Sequence, residues 1–475
     1  MQGMSRRQIL QILGAGAVGI GCGSSDDESP ASPPDENDAG TDPGTDGGPP
    51  GQTDPPTGLE MLAEIETFVV VMMENRPFDH FFGALKRDTK YVNAKTVVGT
   101  TGKESNPAPS GPKVTIYKAN TYTLANPHHD FKASHDQFNK GKNDQFVINH
   151  AGPDQEQAMA YYQRSQIPFY YWLADNFTVC DHWYASVMGP TWPNRLYLHA
   201  GTSAGKKDNS KIESNAPRTI WDQMKTAKKS AMNYYAGTSA FFTGPFPKDK
   251  VNPRAKMDQF FADAKAGTLP ALSYIDPDYH ANDDHPPRDI RLGQAFVSSI
   301  YRALAASPQW SKALLIIIYD EHGGFWDHVA PPVAPDDDAD FRQFGFRIPA
   351  IIVGPTVKKG YVSTQQYDHT SVLATLAARF DLPALTKRSS KAHTLADVFD
   401  PQRYNNPAEP PPNPPAPQLD AAALATVGPS GQEELDAAIA NGTVPEDALD
   451  RRSPDERTAS WLEHAERLGS VRLTR

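Results

Sequence analysis

The most regular feature of the chain is a set of short apolar runs bounded by polar residues, glycine or proline. Such runs are typical of strands that are buried on both faces of a sheet. They predict strands over residues 67–73, 271–275, 314–319 and 348–353. Helical spacing of apolar residues predicts helices over residues 156–175, 292–306 and 370–380. This alternation indicates an α/β protein built around a layered sheet.

Two of these strands end in pairs of polar side chains that can bind a metal ion. Glu74 and Asn75 directly follow the first predicted strand, and Asp320 and Glu321 follow the third. Ligands of open α/β sheets bind outside the carboxyl ends of the strands. An all-oxygen ligand set suits a hard divalent cation, so we favour Mg²⁺ or Ca²⁺. Zinc usually takes histidine or cysteine ligands and is the less favoured alternative.

The first 22 residues are typical of an export signal. Arg6 and Arg7 precede an apolar stretch that ends at Ile20, which resembles a twin-arginine signal for export of folded proteins. The apolar stretch is too short for an ordinary transmembrane helix. Cys22 stands where a lipoprotein would be cleaved and acylated, so we predict lipidation there. The alternative is a plain signal peptide with an incidental cysteine.

Composition then separates a tether from a folded body. Residues 23–58 contain no aromatic residue and are rich in Gly, Ser, Asp and Pro, so they cannot bury enough apolar surface to offset the cost of ordering. We expect a flexible spacer. The formal net charge is −11, and nine acidic residues without a single base lie between Cys22 and Gly58. The body is nearly balanced in charge, which argues against a nucleic-acid partner.

The two cysteines, Cys22 and Cys180, exclude a disulfide framework, and we expect Cys180 to be a buried free thiol. The chain is predicted to divide into a signal at 1–22, a disordered tether at 23–58, a catalytic domain at 59–400, and a Pro-rich linker with a helical tail at 401–475. Two amphipathic stretches, 419–440 and 453–468, leave open whether the tail is a small helical appendage or partly ordered.

Six short segments between residues 65 and 385 are dense in reactive side chains. They are E-N-R-P-F-D-H at 74–80, N-K-G-K-N-D at 139–144, G-P-T-W-P-N-R at 189–195, H-P at 285–286, D-E-H-G-G-F-W-D-H at 320–328 and Y-D-H-T-S at 367–371. In type and order they resemble the bacterial phosphoesterase family that joins phosphatidylcholine-type phospholipase C and a class of periplasmic acid phosphatases. The resemblance implies an alkaline-phosphatase-like three-layer α/β sandwich with a central, mostly parallel sheet. A short helical C-terminal appendage would follow it here.

The resemblance also implies roles for individual residues. Thr191 would be both the nucleophile and a metal ligand, and Glu74, Asn75, Asp320 and Glu321 would complete the shell of one divalent ion. A hydroxyl is a poor nucleophile unless a base or a metal lowers its pKa, which agrees with this arrangement. A covalent phosphothreonine would form, and water would then hydrolyse it.

Histidines are expected to assist both steps. His129 and His285 would bind the phosphoryl oxygens or protonate the leaving oxygen. Spacing from Gly141 in the family favours His129 over its neighbour His128, and His135 is a weaker candidate.

Supporting residues surround these groups. We expect Arg76 and Asp79 to form an ion pair that orients Glu74 and Asn75. Asn194, Arg195 and Asp144 would support the turn that carries Thr191. His328 and His369 stay undecided between substrate contact and packing.

The function expected from the resemblance is an exported, metal-dependent phosphoesterase of the phospholipase C type, acting on a phospholipid. An acid phosphatase that takes small phosphomonoesters is the alternative, since only about 75 tail residues follow the core where haemolytic lipid-cleaving relatives often carry β-rich domains. A non-catalytic surface-binding lipoprotein is a third reading. Expected partners are the twin-arginine export machinery and, through a lipid anchor, a membrane. Expected locations are the periplasm, the outer membrane as a tethered lipoprotein, or the medium after secretion.

Overall fold

The computed structural model describes residues 55–238, 244–247, 250, 252–420, 432–444 and 446–474, apart from the side chains of residues 434 and 447. The signal at 1–22, including Cys22, and nearly all of the tether lie outside the described residues. Expectations about export, acylation and the spacer therefore stay predictions.

One eight-stranded sheet forms the centre of the protein. Its strands are β1 (Thr67–Met73), β2 (Thr178–Cys180), β3 (Ala231–Tyr235), β4 (Arg254–Lys256), β5 (Leu272–Asp276), β6 (Ala313–Tyr319), β7 (Ala350–Val353) and β8 (Tyr361–Ser363). Their order across the sheet is β8-β2-β7-β6-β1-β5-β3-β4. Strand β7 alone runs antiparallel to its neighbours, so the expected mostly parallel sheet is confirmed.

Helices cover both sides of this sheet. They are α1 (Gly58–Ala63), α2 (Phe78–Phe81), α3 (Phe131–Phe138), α4 (Phe146–Asn149), α5 (Pro168–Asn176), α6 (Thr191–Ala200), α7 (Ile220–Thr226), α8 (Met257–Ala266), α9 (Ile290–Ala305), α10 (His369–Phe380), α11 (Lys387–Lys391), α12 (Glu433–Ala440) and α13 (Pro454–Arg467). None of the helices in the described part of the chain is long and apolar enough to cross a bilayer. The predicted layered α/β class is confirmed.

The register of the two central strands positions the site. In the parallel pair β1 and β6, Met73 lies opposite Tyr319, so Glu74 and Asp320 leave the sheet side by side. Every residue of both strands is buried, because helix layers cover both faces. The two polar pairs that follow these strands in the sequence therefore meet at one edge of the sheet, as predicted.

Most predicted elements are confirmed within two residues, but the helix predicted over residues 156–175 is wrong in its first half. Residues 155–159 form a 3-10 turn, residues 160–161 pair with Tyr117–Lys118, and α5 begins only at Pro168. Proline is favoured in the first turn of a helix because it has no N–H to donate. Strands β2, β3, β4 and β8 were not predicted, since runs of three to five residues carry little periodicity.

The C-terminal segment packs against the catalytic body. Gln418–Asp420 pairs in parallel with Arg472–Thr474, and Leu462 of α13 packs with Leu292 of α9. Leu435 of α12 is buried against Trp192, the residue after Thr191. The expected C-terminal helices are present, but the amphipathic stretch 419–440 begins in a strand, is helical over Glu433–Ala440, and lies outside the described residues at 421–431.

Candidate active site

Asn75 joins the strand ends to the predicted nucleophile. Its backbone N–H donates to Asp320 Oδ1 at 2.9 Å, and its Oδ1 accepts a hydrogen bond from Thr191 Oγ at 3.3 Å. Its Nδ2 lies 3.0 Å from His129 Nε2. The backbone has φ +61°, a left-handed conformation that asparagine tolerates better than most residues. The side chain is thereby turned back over the end of the sheet.

Thr191 is the first residue of α6 and lies on a tightly bonded turn. Asn194 Oδ1 accepts from Val187 N at 2.8 Å, and Asn194 Nδ2 donates to the carbonyls of Val187, Gly189 and Pro190, each at 3.1 Å. These bonds hold the turn that carries Thr191. The N-terminus of a helix carries unpaired N–H groups and favours anions. Thr191 therefore lies at a position where the helix end stabilises a phosphate group.

Asp320 and Glu321 are fully buried and only partly hydrogen-bonded. Asp320 Oδ1 accepts from the backbone N–H groups of Asn75 and Glu321, while Glu321 Oε2 accepts from Gly323 N at 2.7 Å. No described donor forms a hydrogen bond with Asp320 Oδ2 or Glu321 Oε1. Buried carboxylate oxygens without donors are costly, and binding a cation removes that cost.

Arg195 contacts two predicted metal ligands rather than the turn that it was expected to support. Its Nη2 lies 3.4 Å from Glu74 Oε1, and its Nε lies 3.4 Å from Asp320 Oδ2. The residue after Asn194 on a helix points to a different side, which explains the difference. Arg195 neutralises part of the buried negative charge at the strand ends.

Burial is the first influence on the pKa values of the carboxyl groups at this site. Burial raises the pKa of Asp320 to about 7 and that of Asp283 to about 8, and it holds the pKa of Glu74 well above its usual range. Burial also acts on Glu321, but His129, His322 and the Gly323 N–H outweigh it and lower the pKa. The three buried carboxyl groups of Glu74, Asp320 and Glu321, of which Arg195 contacts only the first two, fit a divalent cation. Glu74, Asn75, Thr191, Asp320 and Glu321 would hold it.

Asp79, Asp327 and His328 form a second cluster of possible metal ligands, here called the Asp79 cluster. Ligand atoms of Asp79, Asp327 and His328 all lie within 4.8 Å of one another, which is the spacing of a metal site. The Arg347 guanidinium occupies that space, because it donates to Asp79 Oδ1 at 3.0 Å and to Asp327 Oδ1 at 2.9 Å. We therefore assign this cluster to a buried ion-pair network.

The expected ion pair between Arg76 and Asp79 is wrong. Asp79 pairs with Arg347 and with His328, whereas Arg76 Nε donates to the Asp284 carbonyl at 2.9 Å. Arg76 precedes α2, which begins at Phe78, so the helical i,i+3 spacing does not bring its side chain to that of Asp79. Arg76 still contacts the site region, since Asp284 precedes His285.

Asp144 was also expected to support the turn of Thr191, and this is wrong. Its Oδ1 accepts from Asn139 Nδ2 at 2.7 Å and from Gln145 Nε2 at 3.0 Å. It is only partly buried, within the loop that follows α3. Asp144 therefore stabilises its own loop.

His129 and His285 face the same cavity as Thr191. The cavity has a volume of about 280 Å³, and its lining includes Thr191, Trp192, His129, His285, Gln432 and Glu433. Each histidine Nδ1 contacts a backbone carbonyl, that of Pro127 at 2.7 Å and that of Pro286 at 2.6 Å. A carbonyl only accepts, so Nδ1 carries the proton and Nε2 of the neutral ring has a lone pair.

Burial, with a further contribution from His129, lowers the pKa of His285 to about 3. At neutral pH the ring is therefore uncharged and accepts a proton before it can donate one. The expected role of His285 as an acid thus applies only after proton uptake.

The other histidine candidates lie away from the cavity. His135 Nδ1 contacts the Phe131 carbonyl within α3 at 2.7 Å, and His328 belongs to the Arg347 network. His369 is buried, and its Nε2 contacts the Asp320 carbonyl at 2.7 Å, so it supports the end of β6. The geometry favours packing for His328 and His369.

A sequence model of the Phosphoesterase family matches residues 65–383, which include all of these groups except Gln432 and Glu433. The chain belongs to the phosphoesterase family. This confirms the resemblance read from the six motifs.

Relatives of this phosphoesterase are named as phospholipases C. Non-specific phospholipase C6 of Arabidopsis thaliana is 33% identical over 70% of this chain and 72% of its own length. Phospholipase C A of Mycobacterium tuberculosis (strain ATCC 25618 / H37Rv) is 29% identical over 71% of this chain and 77% of its own. Non-hemolytic phospholipase C of Burkholderia pseudomallei is 29% identical over 67% and 56%. The chain is therefore a hydrolase that acts on phosphate esters.

The solved structures that are similar to this chain have low sequence identity to it. A protein in the alkaline phosphatase superfamily from Vibrio parahaemolyticus has a TM-score of 0.36 at 11% identity, over 69% of this chain and 70% of its own. A phosphonate monoester hydrolase of Agrobacterium radiobacter has a TM-score of 0.36 at 9% identity, over 70% and 77%.

Two residues of the phosphoesterase site, Asp283 and Gln432, were not predicted from the sequence. The carbonyl of Asp283 accepts from Glu74 N at 2.9 Å. Gln432 Nε2 donates to Glu74 Oε2 at 2.5 Å and to Asp283 Oδ2 at 3.0 Å. The Asp-Asp-His run could have drawn attention to Asp283, whereas no local signal marks Gln432, which lies 358 positions after Glu74.

Proposed function

We propose that this phosphoesterase is a metal-dependent phospholipase C that transfers the phosphoryl group through Thr191. The observation that carries the proposal is the hydrogen bond from Thr191 Oγ to Asn75 Oδ1, at a helix N-terminus that opens into the cavity. This hydroxyl lies at the strand ends that carry Glu74, Asp320 and Glu321, where Asp320 Oδ2 and Glu321 Oε1 accept no hydrogen bond from a described donor. The phospholipase C names of the relatives support a phospholipid substrate.

Some of the site residues would bind the metal ion, and others position the reacting groups. A divalent ion, when bound, lowers the pKa of a hydroxyl and offsets charge on phosphoryl oxygens. Glu74, Asp320 and Glu321 provide the negative charge that would hold it. Asn75 orients the Thr191 hydroxyl, and the positive end of the α6 dipole favours the phosphate.

The first step forms a bond between Thr191 Oγ and phosphorus while the bond from phosphorus to the diacylglycerol oxygen breaks. The Thr191 proton passes to a base, and we propose His285, whose ring lines the cavity and whose Nε2 carries a lone pair, because Nε2 of His129 already faces the Asn75 amide nitrogen at 3.0 Å. The protonated ring then returns the proton to the diacylglycerol oxygen. Phosphothreonine that still carries the head group remains.

The second step consumes one water molecule. The water gives a proton to a histidine Nε2 and its oxygen bonds to phosphorus, while the bond from phosphorus to Thr191 Oγ breaks. Thr191 Oγ takes up the proton, and the phosphorylated head group leaves. The balance is one phospholipid and one water converted into diacylglycerol and a phosphorylated head group.

The test is a parallel assay of phosphatidylcholine and p-nitrophenyl phosphate, with and without a chelator. We expect hydrolysis of phosphatidylcholine to dominate, to stop with chelator and to return with Mg²⁺ or Ca²⁺. Thr191→Ala should abolish it, whereas Thr226→Ala, an exposed control on α7, should leave it unchanged. Turnover of p-nitrophenyl phosphate alone would favour an acid phosphatase, and full activity of Thr191→Ala would contradict the nucleophile.

We also propose that the enzyme is exported by the twin-arginine route and tethered at the cell envelope through acylated Cys22. The support lies in Arg6, Arg7 and the apolar stretch after them, and in the acidic, Pro-rich segment that follows Cys22. Such a tether would hold the site near a membrane substrate.

A further inference from the structure

Gln432 connects the C-terminal segment to the carboxylates of the proposed metal site. Its side chain is buried, with 7% of its surface exposed. The Nε2 group donates to Glu74 Oε2 at 2.5 Å and to Asp283 Oδ2 at 3.0 Å. One NH₂ group has two hydrogens, so it can satisfy both carboxylates at once.

These two bonds complete the support of Glu74. Arg195 Nη2 lies 3.4 Å from Glu74 Oε1, and Gln432 contacts the other oxygen. The Glu74 backbone N–H donates to the Asp283 carbonyl. The carboxylate is therefore fixed on both oxygens and through its own backbone.

A neutral donor at this place has a specific consequence. An ammonium group between Glu74 and Asp283 would cancel a negative charge that a cation needs. An amide fixes the geometry and leaves the charge in place. Residues that hydrogen-bond to metal ligands in this way orient them for the ion.

The position of Gln432 is itself fixed by packing. Gln432 directly precedes α12, and Leu435 and Ala438 of that helix are buried against Trp192 and Tyr279. Asp436 on the same helix pairs with His280 at 2.7 Å. The amide is thus presented by a docked helix.

We propose that Gln432 is a positioning residue of the metal site, and that through it the C-terminal segment sets the affinity for the divalent ion. The proposal rests on the proposed function, since Glu74 is a metal ligand only if that function holds. Gln432 acts through Glu74 and not on the substrate.

The test compares Gln432→Met with the wild type in the full-length protein. Methionine has nearly the same length and volume but no N–H donor. Binding of Mg²⁺ and of Ca²⁺ is measured by calorimetry on the metal-free protein, beside its melting temperature. We expect the dissociation constant to rise about 10- to 100-fold. At saturating metal, kcat should approach that of the wild type, and KM for phosphatidylcholine should stay unchanged.

Gln402→Met is the matched control, because it makes the same change at an exposed position that does not contact Glu74. It should leave both the melting temperature and the metal affinity unchanged. If Gln432→Met does not fold, Gln432→Asn retracts the amide by one carbon and should also weaken metal binding. Wild-type metal affinity in a folded Gln432 variant would overturn the proposal alone. Absence of metal binding by the wild type would overturn both this proposal and the metal-dependent function.

Discussion

The hydroxyl of Thr191 lies 3.3 Å from the amide oxygen of Asn75, and it donates a hydrogen bond to it. The same asparagine contacts Asp320 through its backbone N–H and His129 through its amide nitrogen. One residue in a left-handed conformation thereby links the proposed nucleophile, the end of β6 and a cavity histidine.

Replacing Asn75 should therefore impair catalysis more than folding. Asn75→Ala removes the contacts to Thr191 and His129, and we expect kcat/KM for phosphatidylcholine to fall about 100-fold, since displaced reacting groups cost that much. The matched control is Asn413→Ala, because Asn413 is exposed and has a similar backbone, with φ +56°. Both variants should lose similar stability, and equal activities would contradict the role of Asn75.

Metal binding should strengthen as pH rises. Burial raises the pKa of Asp320 to about 7 and that of Asp283 to about 8, whereas an unfolded aspartate titrates at about 3.9. A carboxyl group whose pKa is raised by folding binds its proton more tightly in the metal-free folded protein. The stability that this proton adds is present at low pH and is lost as the pH rises through the folded-state pKa. A cation needs the deprotonated forms and restores stability there.

The measurement is the shift in melting temperature caused by Mg²⁺ or Ca²⁺ between about pH 6 and about pH 8. The shift should grow with pH in the wild type and nearly vanish in Asp320→Asn. A shift that is independent of pH would contradict the assignment of the ligands.

Arg347 should matter for stability and not for metal binding. Arg347→Met leaves Asp79 and Asp327 buried without their partner, which costs about 3–5 kcal/mol of unfolding free energy. Urea unfolding of the metal-free protein measures it. Exposed Arg218→Met is the control and should change the free energy by less than about 0.5 kcal/mol. A changed number of bound ions in Arg347→Met would show that the cluster of Asp79, Asp327 and His328 binds metal.

Export is tested at the N-terminus. Changing Arg6 and Arg7 to lysine should leave the protein in the cytoplasm, because the export machinery reads the arginine pair. Cell fractionation measures this, and normal export of the double variant would defeat the twin-arginine assignment. The mass of the mature N-terminal peptide shows whether Cys22 carries a lipid.

Local patterns predicted the centre of the site. The apolar runs before Glu74 and Asp320 specified two buried strands, and their parallel register brings both strand ends to one edge. Thr191 was recognisable because its motif is distinctive within the phosphoesterase family. These features depend on residues that are close in sequence.

Long-range contacts were not predictable in the same way. Asp79 pairs with Arg347 across 268 positions, and Gln432 reaches Glu74 across 358. Nothing in their local sequence distinguishes these partners from other arginines and glutamines. Such pairs follow from how distant elements pack, which periodicity and motif spacing do not encode.

The central claim is that Thr191 carries the phosphoryl group. The most direct measurement is to mix the enzyme with phosphatidylcholine, quench with acid during turnover, and analyse the peptides by mass spectrometry. We expect a peptide in which Thr191 carries the phosphorylated head group, and we expect no such peptide from Thr191→Ala or from the wild type treated with chelator. Product formation without any adduct on Thr191, or with an adduct on another residue, would contradict it.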